Sequence, residues 1–489
     1  MKLRYLLLVF WMVCCVSNVA FAKHKTHSRS YVKAHSYTYS AQPAAIYNSS
    51  QLASQLNYLI NTSHARADIA VYVKSMQYGD SLYAYNINQP LTPASTLKIL
   101  TAEAALIFLG PNYRFSTQLL TDAKTVKNGV LQGNLYVVLS GDPSLTYYDL
   151  DDLLNSLKAH QIQAIAGNVY IDNTAYDQSF YGPGWVWQDR GYCYAAPISA
   201  SIINHNCLTF KVPPSKKYTN LKINAAAMTK SYRTRACALH LSRDPTNILS
   251  IEGCKASGRY SYGVSSVVTD IPEYNRALFK SILNQLSITV YGTVTFGSAP
   301  VTLSLIDSHN SKPLTTLINE MLKKSDNVIA GALFKKLGQL YTRQPGSWEN
   351  GSLAVSQILS KQAGVNIAGM RILDGSGLSP ENLATPAQMM QVLDFAYHHD
   401  PINDEFISAL PIAGVDGTLK HRMGNIARKV RAKTGTISGV VSLAGYAESK
   451  NKEQLGFVIM INGSKGFGWR YKSLEDKIAT ALTRYQRTS

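Results

Sequence analysis

The sequence predicts a mixed α/β fold of the α+β kind, in which one sheet is assembled from both ends of the chain with helices between them. Three observations predict it. Strand patterns begin at Ile69 and return near Lys429, helical spacing dominates after about Pro313, and the stretch from Phe115 to about Pro300 has a different, β-rich texture. At 489 residues the chain exceeds one ordinary domain. With 46% hydrophobic and 16% charged residues, it suits a well-packed globular protein rather than a disordered one.

The N-terminus carries Lys2 and Arg4, an apolar run from Leu6 to Val16 and the small-x-small sequence Ala20-Phe21-Ala22. These are the marks of an export signal over residues 1–22, with the mature chain starting near Lys23. The run is shorter than the roughly 20 residues that span a bilayer. Residues 23–44 are rich in His, Ser and Lys and lack carboxylates, which predicts a flexible basic leader.

Ile69 to Val73, a Gly79-Asp80 turn and Ser81 to Tyr85 predict a hairpin. Leu97 to Leu109 has helical spacing and ends at Gly110-Pro111, which puts Ser95 at a helix N-terminus. The middle stretch holds short strands at Leu135 to Leu139 and Val169 to Ile171, and helices at Asp149 to His160 and, led by Pro272, Glu273 to Leu286. Helices then run toward Lys324 and onward from Asn327. Strands at Lys429 to Lys433, Gly439 to Ala447 and Leu455 to Ile461 precede a final helix, Tyr471 to Tyr485.

Cys14 and Cys15 leave with the signal. Cys193, Cys207, Cys237 and Cys254 remain, an even number in an exported chain, which favours two disulfides. Three connectivities are open; the shortest loops pair Cys193 with Cys207 and Cys237 with Cys254. Zinc is disfavoured, because short Cys-x-x-Cys pairs and suitably spaced histidines are missing. The net charge of +18 becomes +16 once Lys2 and Arg4 are removed. No basic helix or RNA-type aromatic motif points to nucleic acid. An anionic envelope surface, or simple solubility, accounts better for the charge.

Three short motifs carry chemistry: Ser95-Thr96-Leu97-Lys98, Ser325-Asp326-Asn327 and Lys433-Thr434-Gly435. Residues three apart share a helix face, so Lys98 reaches the Ser95 hydroxyl. Serine needs a neighbouring base, and lysine serves only when burial or a nearby positive charge, from Lys433 or the helix N-terminus, favours its neutral form. Ser325 suits a proton relay, and Asn327 suits bonds to Lys98 and to a substrate amide. Lys433 and Thr434 suit a carboxylate, and Gly435 permits close backbone approach. The Ser95 and Thr436 N–H groups make a candidate oxyanion hole. Singly, each motif reads as a helix cap or a surface lysine; in this order, together, they read as a nucleophilic site.

The three motifs resemble the signatures of the penicillin-binding protein and serine β-lactamase superfamily. The long gap between the first two, with Ser140-Gly141-Asp142-Pro143-Ser144-Leu145, Pro183-Gly184-Trp185, Asp374-Gly375-Ser376-Gly377-Leu378-Ser379 and Asp416-Gly417-Thr418-Leu419, further resembles the D-alanyl-D-alanine carboxypeptidase/endopeptidase family often called penicillin-binding protein 4. The resemblance covers essentially everything after the leader.

It implies a transpeptidase-like domain, an antiparallel sheet flanked by helices, over residues 45–114 and 303–489, with two inserted β-rich domains, one over 115–195 with 262–302 and one over 196–261. It also implies periplasmic hydrolysis of D-Ala-D-Ala ends of peptidoglycan stem peptides, and of D-Ala cross-links to a diamino acid, through an acyl-Ser95 intermediate. No metal or cofactor is implied, and β-lactams such as penicillin are expected to acylate Ser95. Asp189 and Tyr194 match residues lining the diamino-acid pocket of relatives. Two departures bear on that pocket: Pro380-Glu381 stands where relatives commonly begin with arginine, and Ser438 stands where they can carry a larger amide. Asp374 to Ser379 by itself is only a turn sequence, and the Trp185 and Trp187 pair reads first as core aromatics, second as a glycan groove. A β-lactamase is disfavoured by the long insertion and the lack of a convincing Glu-bearing loop motif. A non-enzymatic wall-binding or drug-sensing module is disfavoured by the completeness of the motifs.

Overall fold

Strands from opposite ends of the chain share a sheet because each is apolar on both faces. Ile69, Val71 and Val73 alternate with Ala70, just as Val441 and Leu443 alternate with Ala444 and Tyr446, and Phe457, Ile459 and Ile461 with Val458 and Met460. One set packs into each of two cores, which is why the last two strands read as continuous apolar runs rather than alternating ones. In the computed structural model, residues 47–63, 66–212, 218–224, 230–234, 237–243, 248–253, 262–464 and 468–488 are described. The export signal, the leader and Cys254 lie outside them.

The sheet runs Val430–Ile437, Val440–Glu448, Gln454–Asn462, Asp68–Ser75, Ser81–Tyr85, each neighbour antiparallel. The join between the two ends is in unbroken register from Asp68 opposite Asn462 to Ser75 opposite Leu455. Helices Ser49–Thr62 and Gly468–Leu482 cover one face. The first of these is a helix beyond those expected from the sequence; Asn48 and Gln51 form its capping box and Leu52, Leu56 and Ile60 recur at helical spacing. Burying those three side chains contributes about 1.5–3 kcal/mol each.

On the other face lies Lys98–Leu109, buried at every position from Lys98 to Leu106 and enclosed by Leu314–Lys324, Asn327–Thr342, Trp348–Gln362 and Pro386–His398. A helix buried on every side over this stretch belongs at the centre of a core. The β-rich middle stretch builds a second body of sheet: Val294–Phe296, Val169–Asp172, Leu135–Val138, Ser116–Thr121 and Ser304–Asn310 in that order, packed by Tyr147–Ala159 and Ile271–Gln285. Cys207–Val212 pairs with Tyr262–Val267, and Tyr218–Asn224, Ile248–Gly253, Cys237–Arg243 and Lys230–Thr234 form a four-stranded sheet in that order. The Cys193–Cys207 disulfide forms as expected, with Cα atoms 5.5 Å apart. The Cys237–Cys254 pairing falls outside the described residues. Among the described residues no helix is long and apolar enough to cross a membrane.

Candidate active site

Ser95 is the single residue between Leu91 and Leu106 that is not buried. It stands in a 3-10 turn, Ala94–Leu97, that leads into the buried helix, rather than on the first turn of the α-helix itself. Ala94 has φ of +48°, a left-handed conformation that costs a side-chain-bearing residue about 1–2 kcal/mol. Two glycines let neighbouring chain close on this strained turn. A β-carbon on Gly377 would lie 1.8 Å from the Ala94 carbonyl, and one on Gly435 would lie 2.8 Å from the Pro93 carbonyl and 2.1 Å from Ser442 Oγ. Ser442 donates to the same Pro93 carbonyl at 2.6 Å.

Lys98 is fully buried, and its Nζ meets three oxygens: Ser95 Oγ at 3.0 Å, Asn327 Oδ1 at 2.6 Å and the Ser376 carbonyl at 2.7 Å. Burial pushes its ammonium down from 10.5 to about 7, against the opposing pull of Asp374 and Asp326. The depression therefore comes from loss of water rather than from the positive field of Lys433. Half-neutral at pH 7, Lys98 can accept a proton from the hydroxyl beside it.

The Ser376 carbonyl is aimed by Asp374, which is buried and accepts from five donors: the N–H groups of Ser376, Gly377 and Ser379, the Asn382 amide and the Trp185 indole at 2.6 Å. The turn sequence is thus a rigid wall of the site. Trp185 is core, as expected, whereas Trp187 is 66% exposed.

Ser325 ends Leu314–Lys324 in a left-handed conformation and Asp326 caps Asn327–Thr342 through Val328 N and Ile329 N, so the tripeptide turns between two helices. Ser325 Oγ accepts from the buried Lys433 Nζ at 2.9 Å. Burial first, and then Lys98, hold the Lys433 ammonium well below its ordinary value. The Asn327 amide nitrogen donates to the Tyr194 carbonyl at 2.7 Å, a partner within the protein where a substrate amide had been expected.

Val430–Ile437 is the edge strand, and at Gly435 it comes close against the nucleophile turn. Ala432 N donates outward to the Pro411 carbonyl, and the two-residue alternation turns the Thr434 and Thr436 N–H groups the same way. Thr434 Oγ1 donates to Thr418 Oγ1 at 2.8 Å. Asp416, the first residue of the Asp416-Gly417-Thr418-Leu419 motif, fastens that loop to Lys323 through a 2.7 Å ion pair.

The sequence profile of the D-Ala-D-Ala carboxypeptidase 3 (S13) family matches residues 52–485. The chain belongs to that family. It is 34% identical over 414 residues to the D-alanyl-D-alanine carboxypeptidase DacB of Haemophilus influenzae, covering 81% of this chain and 86% of the relative. It is 31% identical over 442 residues to the D-alanyl-D-alanine carboxypeptidase of Actinomadura, covering 85% and 81%. The crystal structure of penicillin binding protein 4 from Haemophilus influenzae superposes with a TM-score of 0.78 and 32% identity, over 88% of this chain and 99% of that one. The same Haemophilus protein in complex with a β-lactam gives 0.74 and 31%.

In this S13 chain the residues carried over by resemblance, Asp189, Tyr194 and Ser438, are half-buried or exposed. The Tyr194 hydroxyl donates to Asp189 Oδ1 at 2.8 Å, and burial and the Asp189 bond raise its pKa. Tyr194 stacks on Tyr192 with ring centroids 5.3 Å apart. Ser438 is exposed in the tight turn that follows Ile437. Pro380 lends its carbonyl to Thr92, and Glu381 pairs with Arg371 at 3.2 Å.

Proposed function

We propose that the chain is a periplasmic serine-type D-Ala-D-Ala carboxypeptidase and DD-endopeptidase of peptidoglycan that binds penicillin covalently. The observation that carries this is the buried, half-neutral Lys98 amine 3.0 Å from the Ser95 hydroxyl, in the turn that leads into its helix. Lys98 takes the Ser95 proton as Oγ attacks the penultimate D-Ala carbonyl. The developing oxyanion lies between the Ser95 and Thr436 N–H groups, the kind of donor whose loss costs about 3 kcal/mol of barrier. Lys433 and Thr434 receive the terminal carboxylate, whose charge restores the Lys433 proton, with Gly435 letting the strand approach. Ser325 returns a proton to the leaving amine, and Asn327 holds Lys98 in place. Water then releases the acyl group from Ser95.

Family membership and the β-lactam complex of the Haemophilus relative support acylation by penicillin. Asp189, Tyr194 and Ser438 border the side of the substrate that carries the diamino acid. The basic charge suits peripheral contact with anionic envelope polymers, which salt weakens.

A digest of purified muropeptides tests the reading. Release of D-Ala from pentapeptide monomers and cleavage of cross-linked dimers are both expected, and both are lost in Ser95→Ala. Trimming of monomers with dimers left intact would remove the endopeptidase claim, and inertness toward both would remove the peptidase claim.

A further inference from the structure

Helices Ser49–Thr62 and Gly468–Leu482 cover the face of the sheet opposite the nucleophile helix, and a cavity of about 330 Å³ opens between them. Two cations line it: Lys477, which is exposed, and Arg484, half-buried in the turn after the final helix. Among the described residues neither side chain makes an ion pair or a hydrogen bond. The Gln55 and Asn425 amides and the Ser473 hydroxyl line the same cavity, also without partners among the described residues. The carboxylate in the lining, Asp476, is already committed, because its Oδ1 accepts from Arg422 Nε at 3.0 Å and from Arg422 Nη2 at 2.7 Å.

Main-chain bonds hold this wall in place. Tyr47 N donates to the Arg484 carbonyl at 3.0 Å, and Gln486 N donates to the Tyr47 carbonyl at 2.8 Å. The position of Arg484 is therefore set by its backbone, and its guanidinium is left for a ligand. Like charges lining one cavity repel, and an anion between them removes that cost. A carboxylate brings one charge and two oxygens. A phosphate ester brings close to two charges and three oxygens, which suit the flat fork of an arginine and the point charge of a lysine together.

We propose that this cavity binds a phosphate ester of an envelope component, with Arg484 taking two phosphate oxygens and Lys477 the third. Gln55, Asn425 and Ser473 meet the hydroxyl groups of the attached glycerol or sugar. The volume stands near the lower end of the range for ligand pockets, about 300–1,000 Å³, and so suits a single head group. Because the cavity and Ser95 are on opposite sides of the sheet, a chain held here keeps its active site free. The proposal rests on the reading of peripheral envelope contact and supplies its residues and its chemistry.

Calorimetric titration of the full mature chain with glycerol 3-phosphate at low salt tests the site, with glycerol as the uncharged comparison. The wild type is expected to bind the phosphate and not glycerol. Arg484→Gln weakens binding by about tenfold to a hundredfold, the range of a charge-assisted bond, and Lys477→Gln, at an exposed charge, by about threefold. Penicillin acylation at the wild-type rate reports that each variant is folded. Sedimentation with phosphatidylglycerol vesicles then separates the sources. Vesicles held by the wild type and lost in Arg484→Gln support the site with a lipid head group as its ligand; glycerol 3-phosphate bound without the vesicles supports it with a soluble or polymer-borne ester. A wild type that takes neither probe, or an Arg484→Gln variant that binds glycerol 3-phosphate as the wild type does, overturns the proposal. Vesicles held equally by the wild type and Arg484→Gln, with glycerol 3-phosphate bound by neither, also overturn it while leaving peripheral contact standing.

Discussion

Asn327 holds Lys98 with its carbonyl oxygen at 2.6 Å and reaches with its amide nitrogen to the Tyr194 carbonyl at 2.7 Å. One side chain therefore couples the base to the inserted segment that borders the site. Asn327→Ala removes an acceptor from the buried amine and frees the Tyr194 segment together. Acylation by penicillin is expected to slow about a hundredfold or more, within the usual range for a displaced general base. Stopped-flow acylation kinetics measure it, and a change under threefold would contradict the role of Asn327.

The depressed Lys98 pKa sets the pH dependence. Its neutral form is the active one, and burial brings the ammonium from 10.5 to about 7. Acylation is therefore expected to rise about tenfold per pH unit below 7 and to level off above it. Lys98→Arg, charged at every working pH, abolishes it. A flat profile between pH 5 and pH 8 would count against lysine as the base.

Glu103, five residues along the same helix, is fully buried, and neither carboxyl oxygen has a hydrogen-bond partner. Burial raises its pKa well above 4.5. Above pH 4.5 the unfolded chain loses this proton while the folded chain keeps it, so the native state weakens as pH rises, by about 1.4 kcal/mol per unit. Glu103→Gln does not titrate. Its stability advantage over wild type is expected to be near zero at pH 4 and to widen steadily toward pH 7, measured by denaturant unfolding at each pH. A pH-independent gap would mean that the acid is ionised in the core.

Gly377→Ala tests the wall behind the nucleophile. The new methyl group would meet the Ala94 carbonyl at 1.8 Å in a backbone with φ of +76°, so both strain and overlap oppose it. A loss of about 2 kcal/mol or more of stability is expected from these two sources. The loss is accompanied by slower acylation, because the displaced atoms belong to the turn carrying Ser95. Unchanged stability and acylation rate would show that the turn relaxes freely.

How much of this was legible in the sequence follows from which groups leave a mark there. Ser95, Lys98, Ser325, Asn327 and Lys433 are side chains at fixed spacings, and they come together within hydrogen-bond reach. The Ser376 and Tyr194 carbonyls also take part, but main-chain acceptors have no residue signature, so Lys98's third partner and Asn327's second were invisible. The many-armed role of Asp374 looked like a turn because its donors lie on the turn itself, and the indole of Trp185 arrives from far along the chain. The sheet and the helices around Ser325 were readable from period and caps. Helix Ser49–Thr62 likewise carries a readable cap and apolar stripe.

The central claim is that Ser95 is the acyl-accepting nucleophile. Labelling the full mature chain with a fluorescent penicillin, followed by peptide mass spectrometry, measures this directly. The account predicts one adduct, on the peptide containing Ser95, and none in Ser95→Ala. An adduct on another residue, or undiminished labelling of Ser95→Ala, would contradict it.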